Sequence, residues 1–423
     1  MNLLRQEIEQ ETREHGPIPF SRYMELCLYH PELGYYMRGV EQFGKAGDFY
    51  ASSDVHAVFG RLLARQFDEM WRILGSPERI DLVELGPGRG LFAQDVLDWS
   101  ETKFPDFFQA LRYILVESSP TLRERMQSRL ARHLASGRAE LDSFGAVDPA
   151  HESGSPKTAE RQQNPARGVS RGSSGGGDQA PKGRKRLPPI AAAIQKIPTI
   201  IFANEFFDAL PVEILSSRGS LRIDVRDGHF LETWAQPSPE ELEFLDRFSV
   251  QPEPGERVEV QLIAQQCIDD LAAKAQRGFI LAIDYGYTRE EELAGRHRGT
   301  LKAIRQHSVS ANPYEAPGKQ DITADVNFTA LAAATERRGM QTQSLVTQSQ
   351  FLMGIGETNQ FADAFEECRL PQERAKVALQ LKHLVMPAGM GESFHVLIAS
   401  KGIERDKVSS LAGLSFGTKQ TRG

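Results

Sequence analysis

Val83-Glu84-Leu85-Gly86-Pro87-Gly88-Arg89-Gly90 closes one apolar run and opens another. The residues around it, Ile80-Asp81-Leu82-Val83 before and Leu91-Phe92-Ala93-Gln94-Asp95-Val96-Leu97 after, read as a strand and as the first turns of a helix. Between them Gly86 permits a tight turn, Gly88 lets the main chain approach a ligand, and Gly90 lets the helix begin close to the sheet. This is the chemistry of a loop that holds a nucleotide-like cofactor, and it makes the chain look like an enzyme.

The spacing narrows the ligand. A dinucleotide fingerprint needs its third glycine at position 91, which is Leu91, and sets a pyrophosphate against the helix N-terminus. The pattern present, acidic-Leu-Gly-x-Gly-x-Gly, is the form usual in S-adenosylmethionine methyltransferases, where the loop lies against a methionine moiety and Glu84 sits near its ammonium. Taken alone, the motif also admits a purely structural glycine turn. A second strand, Tyr113-Ile114-Leu115-Val116, ends in Glu117 and leads into Ser118-Ser119-Pro120, a helix start. Glu117 can accept hydrogen bonds from both ribose hydroxyls; its other reading is a carboxylate favouring the helix dipole.

The chain has 423 residues, 40% of them apolar, enough for one large α/β core with additions or for two domains. A net charge of -7 and a pI near 5.9 argue against a general nucleic-acid binder and favour a small molecule or a protein as partner. Cys27, Cys267 and Cys368 lie far apart, which fits a reducing compartment and no structural zinc. The N-terminus shows neither signal nor transit character, and no apolar run is long enough to span a membrane. These features together predict a cytosolic protein.

Five stretches organise the chain. Residues 1–75 form an N-terminal helical cap and 76–149 the first half of the catalytic domain. Residues 150–190 are rich in Gly, Ser, Pro, Gln and Arg and predict a disordered insertion. Its residues 151–189 carry eight Lys or Arg against three Asp or Glu, and it reads as a docking arm or as a solvated loop insertion. Residues 191–402 supply the second half and inserted substrate-side elements, and 403–423 predict a flexible tail. Within the second half, Thr199-Ile200-Ile201-Phe202-Ala203 and Phe279-Ile280-Leu281-Ala282-Ile283-Asp284 read as strands buried on both faces. Asp227-Gly228 within Leu221 to Thr233 signals a hairpin, and Ser393 to Ser400 a last strand. Strands alternating with helices predict an α/β, Rossmann-like, doubly wound and mostly parallel sheet with ligands at the strand carboxyl ends.

Asn204-Glu205-Phe206-Phe207-Asp208 follows one of those strands, at that carboxyl edge. Methyl transfer from a sulfonium is an in-line displacement, so the protein must align a lone pair and exclude water. For a guanidinium acceptor, with its pKa above 12, Glu205 and Asp208 can orient one nitrogen and receive the proton. The same residues also read as a helix N-terminus, with Asn204 as cap and two acids in the first turn.

Further blocks carry a family resemblance. Gly16-Pro17-Ile18-Pro19-Phe20, His30-Pro31-Glu32-Leu33-Gly34-Tyr35-Tyr36 and Lys45-Ala46-Gly47-Asp48-Phe49 precede the glycine loop. Asn204 to Val212, Asp284-Tyr285-Gly286, Gly299 to His307, Asp321 to Phe328 and Met386 to Glu392 follow it in order. In these blocks the chain resembles the MidA family over roughly residues 16–402 outside the basic insertion. One departure is Ala51-Ser52-Ser53-Asp54, where the family pattern has Thr-Ser-Pro-Glu.

The resemblance implies a class I methyltransferase fold, S-adenosylmethionine as donor, and symmetric dimethylation of an arginine in a protein client. In the family's mitochondrial members that client is a quinone-site subunit of complex I. The resemblance also implies that Gly47 and Asp48 border the donor pocket, together with Glu84, Gly86, Gly88, Gly90 and Glu117. Asn204, Glu205 and Asp208 are the catalytic candidates. Asp48 could equally make an Asx-type turn. Tyr35 and Tyr36 could wall an arginine channel or be core, His307 could accept a proton or be structural, and Asp325 could cap a helix. A small-molecule methyltransferase, an assembly chaperone and, last, a nicotinamide oxidoreductase are the rival readings; oligomeric state is left open.

Overall fold

Period-two burial is plain in the strand that precedes the glycine loop. In β1 (Ile80–Leu85), Ile80 and Leu82 enter one hydrophobic core while Val83 and Leu85 enter another on the opposite face. Every residue of this strand is buried, as a central parallel strand requires. Two acids, Asp81 and Glu84, are buried in it, and the Arg112 guanidinium meets the Asp81 carboxylate in two hydrogen bonds of 2.9 and 2.7 Å. The computed structural model describes residues 2–38, 57–142, 197–305, 308–310 and 312–416. Gly47, Asp48, His307 and the basic insertion lie outside the described residues.

The sheet continues with β2 (Leu111–Val116), β3 (Ala139–Asp142), β4 (Thr199–Asn204), β5 (Gly278–Tyr287), β6 (Gln341–Thr342) and β7 (Phe394–Lys401). Their order is β3-β2-β1-β4-β5-β7-β6, and Val326–Asn327 and Val346–Thr347 add short pairings to β5 and β7. β1 to β5 pair in parallel, and β7 runs antiparallel to β5. The chain builds outward from β1 to β3, then returns to build the other way from β4. The strand order therefore reverses between β1 and β4, which opens a crevice at their carboxyl ends.

Helices Ala57–Ile73, Leu91–Lys103 and Gln348–Glu357 cover one face. Leu262–Lys274 and Phe328–Arg337 cover the other. Between β4 and β5 the chain makes most of a second, five-stranded sheet from Glu213–Ser216, Gly219–Arg226, His229–Ala235 and Val258–Val260. Its remaining strand, Ile18–Pro19, comes from the N-terminal segment and pairs with Arg222 and Ile223. The helices Leu3–His15 and Phe20–Tyr29 thus dock on the inserted sheet through Leu4, Ile8, Phe20, Ile214 and Ile223.

One expectation is corrected, and one of two open readings is closed. Residues 405–416 are not a free tail: Arg405–Ser409 is helical, and Val408 and Leu411 are buried in the main core. Residues 204–208 do not start a helix. Asn204 ends β4, Glu205 takes a left-handed φ of 49°, and the chain turns toward Glu213.

Candidate active site

Gly86, Gly88 and Gly90 all adopt positive φ, at 63°, 54° and 71°. A side chain at Gly90 would place its Cβ 2.9 Å from Met126, and one at Gly86 would place it 3.1 Å from the Phe206 ring. The loop is tied to the neighbouring strand, because the Gly86 N–H donates to the Val116 carbonyl at 3.1 Å. Glu117 follows Val116. Its carboxylate accepts the Ser119 N–H at 2.9 Å and also takes the N–H groups of Gly88 and Ser118. Burial pushes this carboxyl up to about 7 against those donors. Ser119 caps the next helix and Pro120 occupies its first turn.

Glu84 is buried near the end of β1 and accepts the Tyr113 hydroxyl at 2.7 Å. Burial drives it up to about 8, with the negative field of Glu117 adding to the rise. Two desolvated carboxyls thus flank a left-handed glycine loop. That arrangement suits a ligand with an ammonium and vicinal hydroxyls, the polar groups of S-adenosylmethionine. Across the strand reversal, Asn204 Oδ1 is buried with no hydrogen-bond partner among the described residues, an acceptor in the same crevice.

The turn after β4 is organised by Asp284, at position seven of β5. One of its carboxylate oxygens accepts the N–H groups of Phe206, Phe207 and Asp208 at 3.1, 2.9 and 3.3 Å. The other accepts the Tyr285 N–H at 3.0 Å. These are the donors a helix start would have given to its own cap, which is why the turn forms instead. Burial and the nearby Asp208 and Glu205 charges push Asp284 well above the carboxylate range. Glu205 accepts the Asn204 side-chain amide at 3.2 Å.

Asp208 is half-buried, and its Oδ2 accepts the Thr323 hydroxyl at 2.7 Å. Burial, with the Asp325 charge behind it, lifts Asp208 to about 6. Asp325 is held low by Lys302 at 2.8 Å and His297 at 3.2 Å. It does not cap the following helix. Asn327 does, accepting the Ala330 N–H at 3.0 Å.

The N-terminal segment closes over this edge. Tyr29 donates to the Ala209 carbonyl at 2.9 Å, Tyr36 donates to Asp321 at 2.8 Å, and the two rings stack at 5.7 Å. Burial and the charges of Asp321, Asp208 and Glu117 push the Tyr29 hydroxyl up, so one side chain senses both halves of the crevice.

The structure therefore gathers Glu84, Gly86, Gly88, Gly90 and Glu117 on one side and Asn204, Glu205 and Asp208 on the other. Asp284 and Thr323 stand in blocks of the family resemblance but were given no role in the site, and Tyr29 was not singled out. For Asp284 a signal existed: it closes the apolar run Phe279 to Ile283 as Glu117 closes that of β2. Among the described residues no group of His, Cys, Asp and Glu is arranged to hold a metal ion.

Fold and site define a methyltransferase. A family described as "Putative S-adenosyl-L-methionine-dependent methyltransferase" matches residues 62–346. The chain belongs to this MidA-like family, with S-adenosylmethionine as its cofactor. The Drosophila melanogaster protein arginine methyltransferase NDUFAF7 homolog, mitochondrial, is 28% identical over 95% of this chain and 85% of its own length. The Xenopus tropicalis mitochondrial protein arginine methyltransferase NDUFAF7 is 30% identical over 82% and 74%. A crystal structure from Burkholderia thailandensis bound to S-adenosyl-homocysteine shares the fold, with a TM-score of 0.73 at 24% identity over 97% of this chain and 94% of that one.

These relatives overturn the expected cytosolic location, since the matched proteins from fly, frog and human are named as mitochondrial. Scattered free cysteines report a reducing environment and do not separate the two compartments. Among the described residues no helix is long and apolar enough to cross a membrane.

Proposed function

We propose that this methyltransferase modifies an arginine side chain of a protein client, with Glu205 and Asp208 as the groups that meet the guanidinium. The observation that carries the reading is Asp208: a carboxyl lifted to about 6, at the carboxyl end of β4, across the crevice from the glycine loop. Bound S-adenosylmethionine supplies an electrophilic methyl group. Gly86, Gly88 and Gly90 would hold it from the loop, Glu117 would take its ribose hydroxyls, and Glu84 would meet its ammonium. By family resemblance Gly47 and Asp48, which lie outside the described residues, would border the same cofactor.

On the acceptor side, the Asn204 amide steadies Glu205 and the Asp284 carboxylate fixes the turn that carries both acids. Glu205 orients the guanidinium by charge-assisted hydrogen bonds. Asp208 takes the proton that the attacking nitrogen loses, and Thr323 holds the accepting carboxylate in place. Tyr29 and Tyr36 cover the edge and exclude water.

The client we propose, on the family resemblance, is a quinone-site subunit of respiratory complex I, modified to symmetric dimethylarginine; the names of the mitochondrial relatives support arginine methylation of a protein. The test combines purified protein, methyl-labelled cofactor and the isolated subunit, with mass spectrometry of the labelled peptide. Symmetric dimethylarginine is the expected product. Label confined to low-mass metabolites would overturn the protein-client reading in favour of a small-molecule acceptor.

A further inference from the structure

The hairpin between β4 and β5 turns at Asp227 and Gly228, both at left-handed φ of 51° and 72°. A two-residue turn of this kind makes Arg226 and His229 a hydrogen-bonded pair, and the alternation then follows along the register. His229, Leu231, Thr233 and Ala235 direct their main-chain groups to the partner strand. Phe230, Glu232 and Trp234 direct theirs outward. Among the described residues none of these outward N–H and C=O groups has a partner, so His229–Ala235 is a free sheet edge.

A groove of about 430 Å³ opens where this edge ends, lined among others by Arg218, Trp234, Pro237, Leu242, Leu245 and Gln251. Leu242 is exposed there at 46%. The Arg218 guanidinium lies 5.0 Å from the Trp234 ring, makes no hydrogen bond or close ion pair among the described residues, and acts only at longer range on Glu232. The Trp234 indole N–H is buried and also lacks a partner. Arg257 lies 5.7 Å from the same ring but is already committed to Glu232 by two hydrogen bonds of 2.8 and 2.6 Å. The groove therefore presents the Arg218 guanidinium between apolar walls.

We infer that this edge and its groove form a docking site for an extended protein segment, which adds as a strand beside His229–Ala235 and seats a carboxylate side chain at Arg218. Unpaired main-chain groups supply sequence-independent affinity, and the groove supplies the preference for an acidic residue. The site lies in the inserted sheet, apart from the crevice at the ends of β1 and β4. It takes from the proposed function only the identity of its partner as a protein client.

The test uses the full chain and a fluorescein-labelled ten-residue peptide of alternating Thr and Val with one central Glu, read by fluorescence anisotropy. Saturable binding is expected. It weakens about tenfold when the central Glu is replaced by Gln or when Arg218→Glu is introduced, as loss of a charge-assisted contact implies. N-methylation of alternate peptide bonds should abolish it, and Trp234→Phe, which keeps an aromatic ring, should weaken it several-fold.

Equal affinity for the Glu and Gln peptides, or no binding, overturns the proposal. A dimer on size exclusion that dissociates in Arg218→Glu would also overturn it, by giving the edge to a second copy. Because no methyl transfer is read, a peptide that binds while no protein is ever methylated would leave docking standing and remove the catalytic reading.

Discussion

At the scale of single residues, activity depends on which carboxyls hold their protons near neutrality. In the proposed mechanism Asp208 receives a proton only when ionised, and burial lifts its carboxyl to about 6. The turnover number should therefore rise with pH through about 6 and level off above it. Asp208→Asn should lower turnover about 100-fold or more while leaving cofactor affinity unchanged. A pH profile of the methylation rate checks both, and a flat profile between pH 5 and 7 removes Asp208 as proton acceptor.

Glu84 carries a different consequence, for stability. Its folded pKa of about 8 stands above its ordinary 4.5, so the stabilisation it contributes is complete below about 4.5 and is lost as pH rises through about 8. Cofactor-free protein should melt at lower temperature at pH 8.5 than at pH 5.5, and Glu84→Gln should flatten that slope. Saturating S-adenosyl-homocysteine should flatten it too, by bringing an ammonium to the carboxylate. An unchanged slope in Glu84→Gln would assign the pH dependence to other groups, Glu117 first, whose value is about 7.

At the scale of elements, close backbone packing makes some glycines costly to replace and leaves others tolerant. Gly278 opens β5 at φ 145°, and a Cβ there would lie 1.8 Å from the Thr199 carbonyl oxygen of β4. Gly278→Ala should cost about 3 kcal/mol, because strand separation or backbone strain has to relieve the clash. Gly228→Ala, in a turn with open space around it, should cost about 1 kcal/mol. Urea denaturation of both variants measures the difference, and equal losses would contradict the packing argument.

The same contrast explains what could be read from the sequence. β1, β2, β4, β5 and β7 are near-continuous apolar runs and announce themselves, as does the hairpin turn at Asp227-Gly228. β3 (Ala139–Asp142) and β6 (Gln341–Thr342) are short, polar and at or near the sheet edge, so they carry no such signal. The turn after β4 also admitted a helix start, because Asn204 is a good cap and Glu205 and Asp208 would place acids in a first turn. What decides against the helix is Asp284, 76 residues beyond Asp208, whose carboxylate captures the turn's N–H groups. No local pattern shows a contact of that range. The cofactor side was legible because loop and acid follow their own strands directly; the acceptor side depends on contacts such as Asp208 to Thr323 that only the fold creates.

At the scale of the whole molecule, the chain folds back at its end to brace the helices behind the sheet. The sequence after Lys401 is largely polar, with its apolar residues Ile403, Val408, Leu411, Leu414 and Phe416 scattered without a sustained period, and so it reads as a tail. In the structure Val408 and Leu411 are fully buried, and a Cβ at Gly413 would lie 2.3 Å from the Phe351 ring. The Gly413 N–H donates to Gln66 at 2.9 Å and the Ala412 N–H to Glu69 at 3.0 Å, which fastens the segment to helix Ala57–Ile73. That helix packs in turn on Leu91–Lys103, the helix the glycine loop opens into. Burial of the two aliphatic side chains is worth about 2 kcal/mol each, and the exposed wall around Phe351 and Leu352 adds to the loss. Ending the chain at Lys401 should therefore destabilise it by about 5 kcal/mol and lower the melting temperature by about 10 °C. The paired variant Val408→Asp tests the same contact without shortening the chain, since it forces an unpaired charge into the core. A melting temperature unmoved by both changes would return the segment to the status of a tail; a fall in both, larger without cofactor than with saturating S-adenosyl-homocysteine, would show that the C-terminal brace and the glycine loop belong to one cooperative unit.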